Sequence, residues 1–133
     1  MSDLLKFSIP GKPEYIQMVR LAIASIAGKA NFDVDAVEDI KEAVSEACKI
    51  VVCHGEEGLS SRYEIFCEIE NDKLTITASD ACCEEDRLLG VRQCSNCPDE
   101  GNLAVAVMET LMDIVEVELD GEGNRIIKMV KNK

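Results

Sequence analysis

Apolar positions recur along this chain with two different periods, and the switches between them mark its elements. From Leu4 to Ile9 apolar and polar residues alternate as in a strand, and Pro10-Gly11 stops it. Pro13 suits the first turn of a helix. Beyond it Tyr15, Ile16, Val19, Ala22, Ile23, Ile26 and Ala27 fall at helical spacing, with an end expected near Lys29-Ala30. Asp35, with Glu38 three residues on, reads as a cap opening a second helix. Val37, Ile40, Ala43, Val44, Ala47, Cys48 and Val51 form its apolar stripe, and Gly55 can end it after Cys53-His54. Alternation returns from Arg62 to Glu70, with Tyr63, Ile65, Cys67 and Ile69 pointing one way. Asn71-Asp72 turns the chain into Lys73–Ser79, where Leu74, Ile76 and Ala78 face inward. Asp80 to Glu100 is polar and cysteine-rich, with one short helix expected around Glu84 to Leu89. Leu103 to Met112 reads as a third long helix, and Ile114–Leu119 with Arg125–Val130 as a closing hairpin around Asp120-Gly121-Glu122-Gly123. The order β-α-α-β-β-loop-α-β-β predicts an α+β, two-layer sandwich. Three main helices pack on one face of a mixed, largely antiparallel sheet.

Length and composition narrow the class. At 133 residues, with 47% hydrophobic residues, residues 1–133 are expected to form one folded domain with a real core. A formal net charge of −12 repels phosphate backbones, which argues against direct nucleic-acid binding and favours basic protein partners. No apolar run approaches membrane-spanning length, and Met1-Ser2-Asp3-Leu4-Leu5-Lys6 lacks the layout of a signal peptide. A cytoplasmic protein is expected. Its seven cysteines are then reduced, metal-bound or reactive, and do not form a disulfide framework.

Two cysteine groups bear on chemistry. Cys82-Cys83 and Cys94-Ser95-Asn96-Cys97 could supply four thiolates, the donor set of tetrahedral zinc or an iron-sulfur cluster, and a C-x-x-C also suits a redox pair. Against this, adjacent cysteines seldom both face one metal, and standard zinc sites use two spaced pairs. A reduced, unliganded loop is the plainer alternative. Cys48 and Cys67 lie on apolar faces and read as small core residues, as Met108, Met112 and Met129 read as core filler. His54, near a helix C-terminus, is explained by the helix dipole alone.

Four stretches carry a family resemblance: Phe7-Ser8-Ile9-Pro10; Glu14-Tyr15 through Val19-Arg20-Leu21; Glu38-Asp39-Ile40-Lys41-Glu42-Ala43-Val44-Ser45-Glu46-Ala47-Cys48; and Glu109-Thr110-Leu111-Met112-Asp113. In this order the chain resembles the bacterial anti-sigma-factor serine-protein kinases of the RsbW type, within the gyrase, histidine-kinase and MutL ATPase superfamily. The resemblance implies a Bergerat-type ATPase fold that holds ATP and magnesium between helices and a mobile lid. It makes Glu46 the catalytic general base, which must reach the attacking hydroxyl. It places the magnesium-binding asparagine four residues later, one turn away on the same helix, where this chain has Ile50. A hydrocarbon cannot ligate a hard cation. Asp80 matches the carboxylate that meets the adenine amino group, with Cys82 where the family has glycine. Gly101, Asn102 and Ala104 match the glycine-rich approach to the third helix, where backbone N–H groups meet phosphates. Arg20 matches a partner-contacting arginine, although a lone arginine at a helix edge is more often only solvated.

Three functions follow as expectations. The first is an anti-sigma-like regulator that binds a sigma factor, an anti-anti-sigma protein or both, as a homodimer like much of the family, with ATP binding and kinase activity weakened or lost. Ile50, Cys82 and Ala104 favour it. The second is an active kinase phosphorylating an anti-anti-sigma protein, favoured by Glu46, Asp80 and Gly101. The third is a metal- or redox-sensing switch using Cys82, Cys83, Cys94 and Cys97.

Overall fold

The computed structural model describes residues 3–10, 13–52, 62–79, 97–119 and 125–133. Strand β1 (Asp3–Pro10) leads through a single 3-10 turn at Pro13–Tyr15 into α1 (Ile16–Lys29), followed by α2 (Val34–Val52). The hairpin β2 (Arg62–Ile69) and β3 (Lys73–Ser79) precedes α3 (Cys97–Leu111), and β4 (Ile114–Leu119) and β5 (Arg125–Asn132) complete the sheet. Its strand order is β1-β2-β3-β5-β4. The expected mixed sheet is antiparallel in all four described pairings. That follows from connectivity, since hairpins build β2–β3 and β4–β5 and no parallel neighbours are joined.

Period-two alternation sets which face is buried. Tyr63, Ile65 and Cys67 on β2, Leu74, Ile76 and Ala78 on β3, and Ile127 and Met129 on β5 are sealed from solvent on the helix-covered face. Their cross-strand partners, such as Cys67 with Ile76 and Ile76 with Met129, are the register pairs that stack this face into one layer. The opposite face is polar, with Lys6 3.0 Å from Glu64 and lying over the Phe66 ring at 5.5 Å.

Helix α2 is the middle of the helical layer and packs against both α1 and α3. Ile40, Ala43, Val44, Ala47 and Cys48 are fully buried along its inner stripe. Helix α1 contributes Val19, Ile23, Ile26 and Ala27, and α3 contributes Ala104 and Met108, with Met112 just after it, to the same core. The three methionines expected as core filler are therefore core.

The helix ends hold two corrections. The cap of α2 is Asp33, not Asp35: its carboxylate accepts a hydrogen bond from the Ala36 N–H at 2.8 Å. A cap must precede the first helical residue with its side chain turned back onto the third, and Asp35 already lies inside the first turn. Helix α3 begins at Cys97, six residues before the expected Leu103, so Gly101 and Asn102 lie within helical backbone and do not form a turn leading into it. The end of α1 is a Schellman closure. Asn31 adopts φ 69°, its N–H bonds Gly28 O at 3.1 Å, and the Phe32 N–H bonds Ala27 O at 3.2 Å.

Two polar contacts tie the far end together. Lys131, 17% exposed, donates to the Leu111 carbonyl at the end of α3 at 2.7 Å and lies 3.7 Å from the Asp39 carboxylate on α2. An ammonium there meets both a free helix-end carbonyl and the negative end of the helix dipole. Asp113, in the turn between α3 and β4, accepts the Asn132 N–H at 2.6 Å and donates its own N–H to Val130 O at 2.9 Å.

Burial also sets the chemistry of the core thiols. It pushes Cys48 from the ordinary 9.0 up to about 12, an effect the neighbouring Tyr63 hydroxyl only partly offsets. It pushes Cys67 from 9.0 to about 12 as well. The Tyr63 hydroxyl, buried beside Cys48, is raised by its own desolvation first and by the Cys48 charge second, and no hydrogen-bond partner in good geometry satisfies it among the described residues.

Three outcomes are expected. Asp33→Ala should lower the unfolding free energy by about 1 kcal/mol in urea titration, and Asp35→Ala by no more than a few tenths of a kcal/mol. Native protein treated with iodoacetamide at neutral pH should stay unlabelled at Cys48 and Cys67 by peptide mass spectrometry, and both should label in urea. The unfolded thiols lose their protons first as pH rises. Stability from these two groups is therefore complete below pH 9 and is lost between pH 9 and about 12, seen as a melting temperature falling steeply across that interval.

Candidate functional site

Helix α2 carries the centre of the expected site on the rim of its buried stripe. Glu46 sits between buried Ser45 and buried Ala47, and its side chain is 22% exposed. Helical geometry requires this: with Ala43, Ala47 and Ile40 turned onto the core, position 46 falls at the border between core and solvent. One carboxylate oxygen lies 3.2 Å from the ammonium of Lys49, which is 59% exposed. Position 50 follows one turn after Glu46 on the same unbroken helix. Ile50 has no oxygen to offer, so the ligand that the resemblance places one turn after Glu46 is lacking. A magnesium ion held jointly by Glu46 and position 50 does not fit these residues.

The other expected nucleotide contacts are only partly brought into view. Ala104 is buried in the core on α3, the helix that packs against α2. Gly101 and Asn102 are on the same helix, one turn or less before it. Asp80 directly follows the last residue of β3 and lies outside the described residues, as do Cys82, Cys83 and Cys94. Cys97 is the first residue of α3, not part of a loop. The four-cysteine arrangement is therefore outside the described residues except at this one helical position. Among the described residues no group of three or more His, Cys, Asp or Glu side chains is placed to hold a metal. No helix is long and apolar enough to cross a membrane.

Arg20 is on the flank of α1 that meets α2. Its side chain is 27% exposed, and a terminal nitrogen lies 3.7 Å from the carboxylate of Glu42, itself 54% exposed. Its Nε is out of contact with solvent and has no hydrogen-bond partner among the described residues.

Sequence reading had missed the surface on the other flank of α1. A largely apolar groove of about 530 Å³ runs between β1 and α1, walled by Phe7, Ile9 and Pro10 on one side and Tyr15, Met18 and Ala22 on the other. Strand β1 is an edge of the sheet. At the rim Met18 is 62% exposed, and Leu21, one turn further along the helix, is 57% exposed. The signal was present in the sequence: Met18 and Leu21 fall off the apolar stripe of Val19, Ile23 and Ile26 by too wide an angle to reach the core.

Comparison with known proteins agrees with this geometry. A family profile described as the histidine kinase-like ATPase domain matches residues 9–131. The serine-protein kinase RsbW of Bacillus licheniformis is 34% identical over 133 aligned residues, covering 90% of this chain and 80% of that protein. The serine-protein kinase RsbW of Listeria monocytogenes serotype 4a is 36% identical over 139 aligned residues, covering 96% of this chain and 86% of that protein. In fold, a chain of the SiaB–SiaC complex from Pseudomonas aeruginosa superposes with a TM-score of 0.61 at 8% identity, covering 96% of this chain and 88% of that one. A three-helix layer on an open antiparallel sheet, with Glu46 on the middle helix, thus goes with clear sequence similarity along nearly the whole chain, and the protein belongs to the histidine kinase-like ATPase domain family, among the relatives of the serine-protein kinase RsbW.

Proposed function

We propose that this chain is a regulatory binding protein of the RsbW type. It takes up a sigma factor, an anti-anti-sigma protein or both on the outer side of α1, with its ability to transfer phosphate from ATP weakened or lost. The observation that carries this reading is the unequal state of the two surfaces. The binding side is intact: the β1–α1 groove is apolar, and Met18 and Leu21 stand exposed at its rim. Exposed large apolar side chains beside an open groove are what protein interfaces bury. The catalytic side is reduced. Phosphoryl transfer depends on positioning and on metal-assisted charge stabilisation, and α2 offers Glu46 without an oxygen donor one turn on.

In this reading α2 keeps its structural work and α1 carries recognition. Helix α2 holds α1 in place through the Ile40 to Cys48 stripe, and α1 presents Met18, Leu21 and Arg20 to a partner. The kinase named in the relatives remains the alternative, favoured by the retained carboxylate of Glu46. Pairing of two copies would follow the family's habit.

Two experiments test the proposal. In titration calorimetry with Mg-ATP, the wild-type chain should give no binding tighter than about millimolar, and Ile50→Asn should strengthen it by at least about tenfold as the oxygen ligand returns. Wild-type binding at roughly micromolar Kd would restore the active-kinase reading. In co-purification from the native cell, with captured proteins identified by mass spectrometry, wild type should retain a sigma factor or an anti-anti-sigma protein and Leu21→Asp should lose it. Equal recovery of that protein by both would remove α1 as the binding surface.

A further inference from the structure

The geometry points to strand addition: the partner docks an extended segment along the free edge of β1, with alternate apolar side chains entering the β1–α1 groove. This rests on the reading of α1 and its groove as the partner-binding side, and adds to it the conformation and chemistry of the incoming segment.

The make-up of the groove wall carries the argument. Its β1 side is the unbroken run from Lys6 to Pro10, not every second residue. Strand side chains alternate between faces, and Phe7 and Ile9 are the ones that pack against the core under the helices. Lys6 turns the other way, onto Glu64 and the Phe66 ring, and Ser8 shares that face. What Lys6 and Ser8 present to the groove is therefore main chain. Among the described strands β1 is an edge that pairs with β2 alone. Every second residue along it turns its N–H and C=O away from β2, and an added strand satisfies those groups in register. A helical occupant would leave them unpaired, because its own N–H and C=O groups are spent within the helix.

The opposite wall selects side chains. Tyr15, Met18 and Ala22 follow at three and four residues along α1 and the turn before it, so they line one apolar flank. Along β1, Pro10 has no N–H and ends the usable edge. Glu14 is exposed beside Tyr15, and the whole chain carries a net charge of −12, so Lys or Arg suits the flanks of the incoming segment. The far edge of the sheet makes a contrast. Strand β4 bears exposed Glu116 and Glu118, charges of the kind that guard an edge against pairing, whereas Phe7-Ser8-Ile9 carries none. The occupant is thus a short extended segment, apolar at alternate positions and basic at its ends.

The test selects a phage-displayed library of random peptides of about twelve residues, the span of a short added strand, on the full wild-type chain, with counter-selection on Met18→Asp. Enriched peptides should alternate apolar residues and carry Lys or Arg in their flanks. Synthetic versions methylated on one backbone nitrogen at a time keep every side chain but lose one N–H. They should bind at least about tenfold more weakly at every second position, and nearly as well as the parent between. Bound peptide should also slow hydrogen exchange at alternate amides of β1. A melting curve checks that Met18→Asp is folded, and the methylated series needs no variant of the chain. Methylation tolerated at every position, peptides that bind as helices by circular dichroism, or a library with no Met18-dependent binder would each overturn the proposal. So would sedimentation showing a wild-type dimer that Met18→Asp splits, which would give the edge to a second copy. Partner capture that depends on Leu21 would still stand in those cases, so the two readings fail separately.

Discussion

The burial of one stripe of α2 is the constraint on which the rest of the structure depends. Ile40, Ala43, Val44, Ala47 and Cys48 are fully enclosed, and that fixes the rotation of the helix about its axis. Two of the five are alanines, which let neighbouring elements approach closely, and α2 is the helix that both α1 and α3 touch. Once this stripe is seated, Glu42, Glu46 and Lys49 fall on the rim, and the flank of α1 carrying Arg20 is brought within reach of Glu42. Core and site are consequences of the same phase. A large-to-small change in this stripe is expected to disturb both the fold and the Arg20–Glu42 pair.

The proposed function is compatible with that constraint. Position 50 is one turn beyond Glu46 on the same helix. Isoleucine there removes an oxygen donor but leaves the stripe from Ile40 to Cys48 untouched. The apolar groove between β1 and α1 is likewise independent of α2's ligands, because its walls come from the other side of α1. In the proposed function, recognition and transfer rest on different side chains on different helices.

The parts of this architecture that rest on periodicity were readable from the chain. The inward set Tyr63, Ile65, Cys67, Leu74, Ile76 and Ala78 and the stripe of α2 are where alternation and helical spacing place them, because burial of apolar surface dominates and follows a fixed period. Local polar geometry was less legible. Asp33 and Asp35 are equally good capping residues by composition, and only the start of the helix decides between them. Lys131 reads as an ordinary surface lysine until register places it beside Leu111 and Asp39. The start of α3 at Cys97 runs against the glycine and proline in Cys97-Pro98-Asp99-Glu100-Gly101, which weaken a helical reading; Pro98, near the helix start, is nonetheless tolerated there. Glu46 and Arg20 were singled out by resemblance. Their ion pairs with Lys49 and Glu42 were not foreseen, since they depend on side-chain directions that spacing alone does not give.

In the proposed function, recognition has outlived phosphoryl transfer. The most direct test is to incubate the chain, its captured partner and magnesium with ATP labelled in the γ-phosphate, and to follow label and complex together. The account predicts a complex that persists with its partner unlabelled. Stoichiometric labelling of a partner serine, with release of the complex, would contradict it.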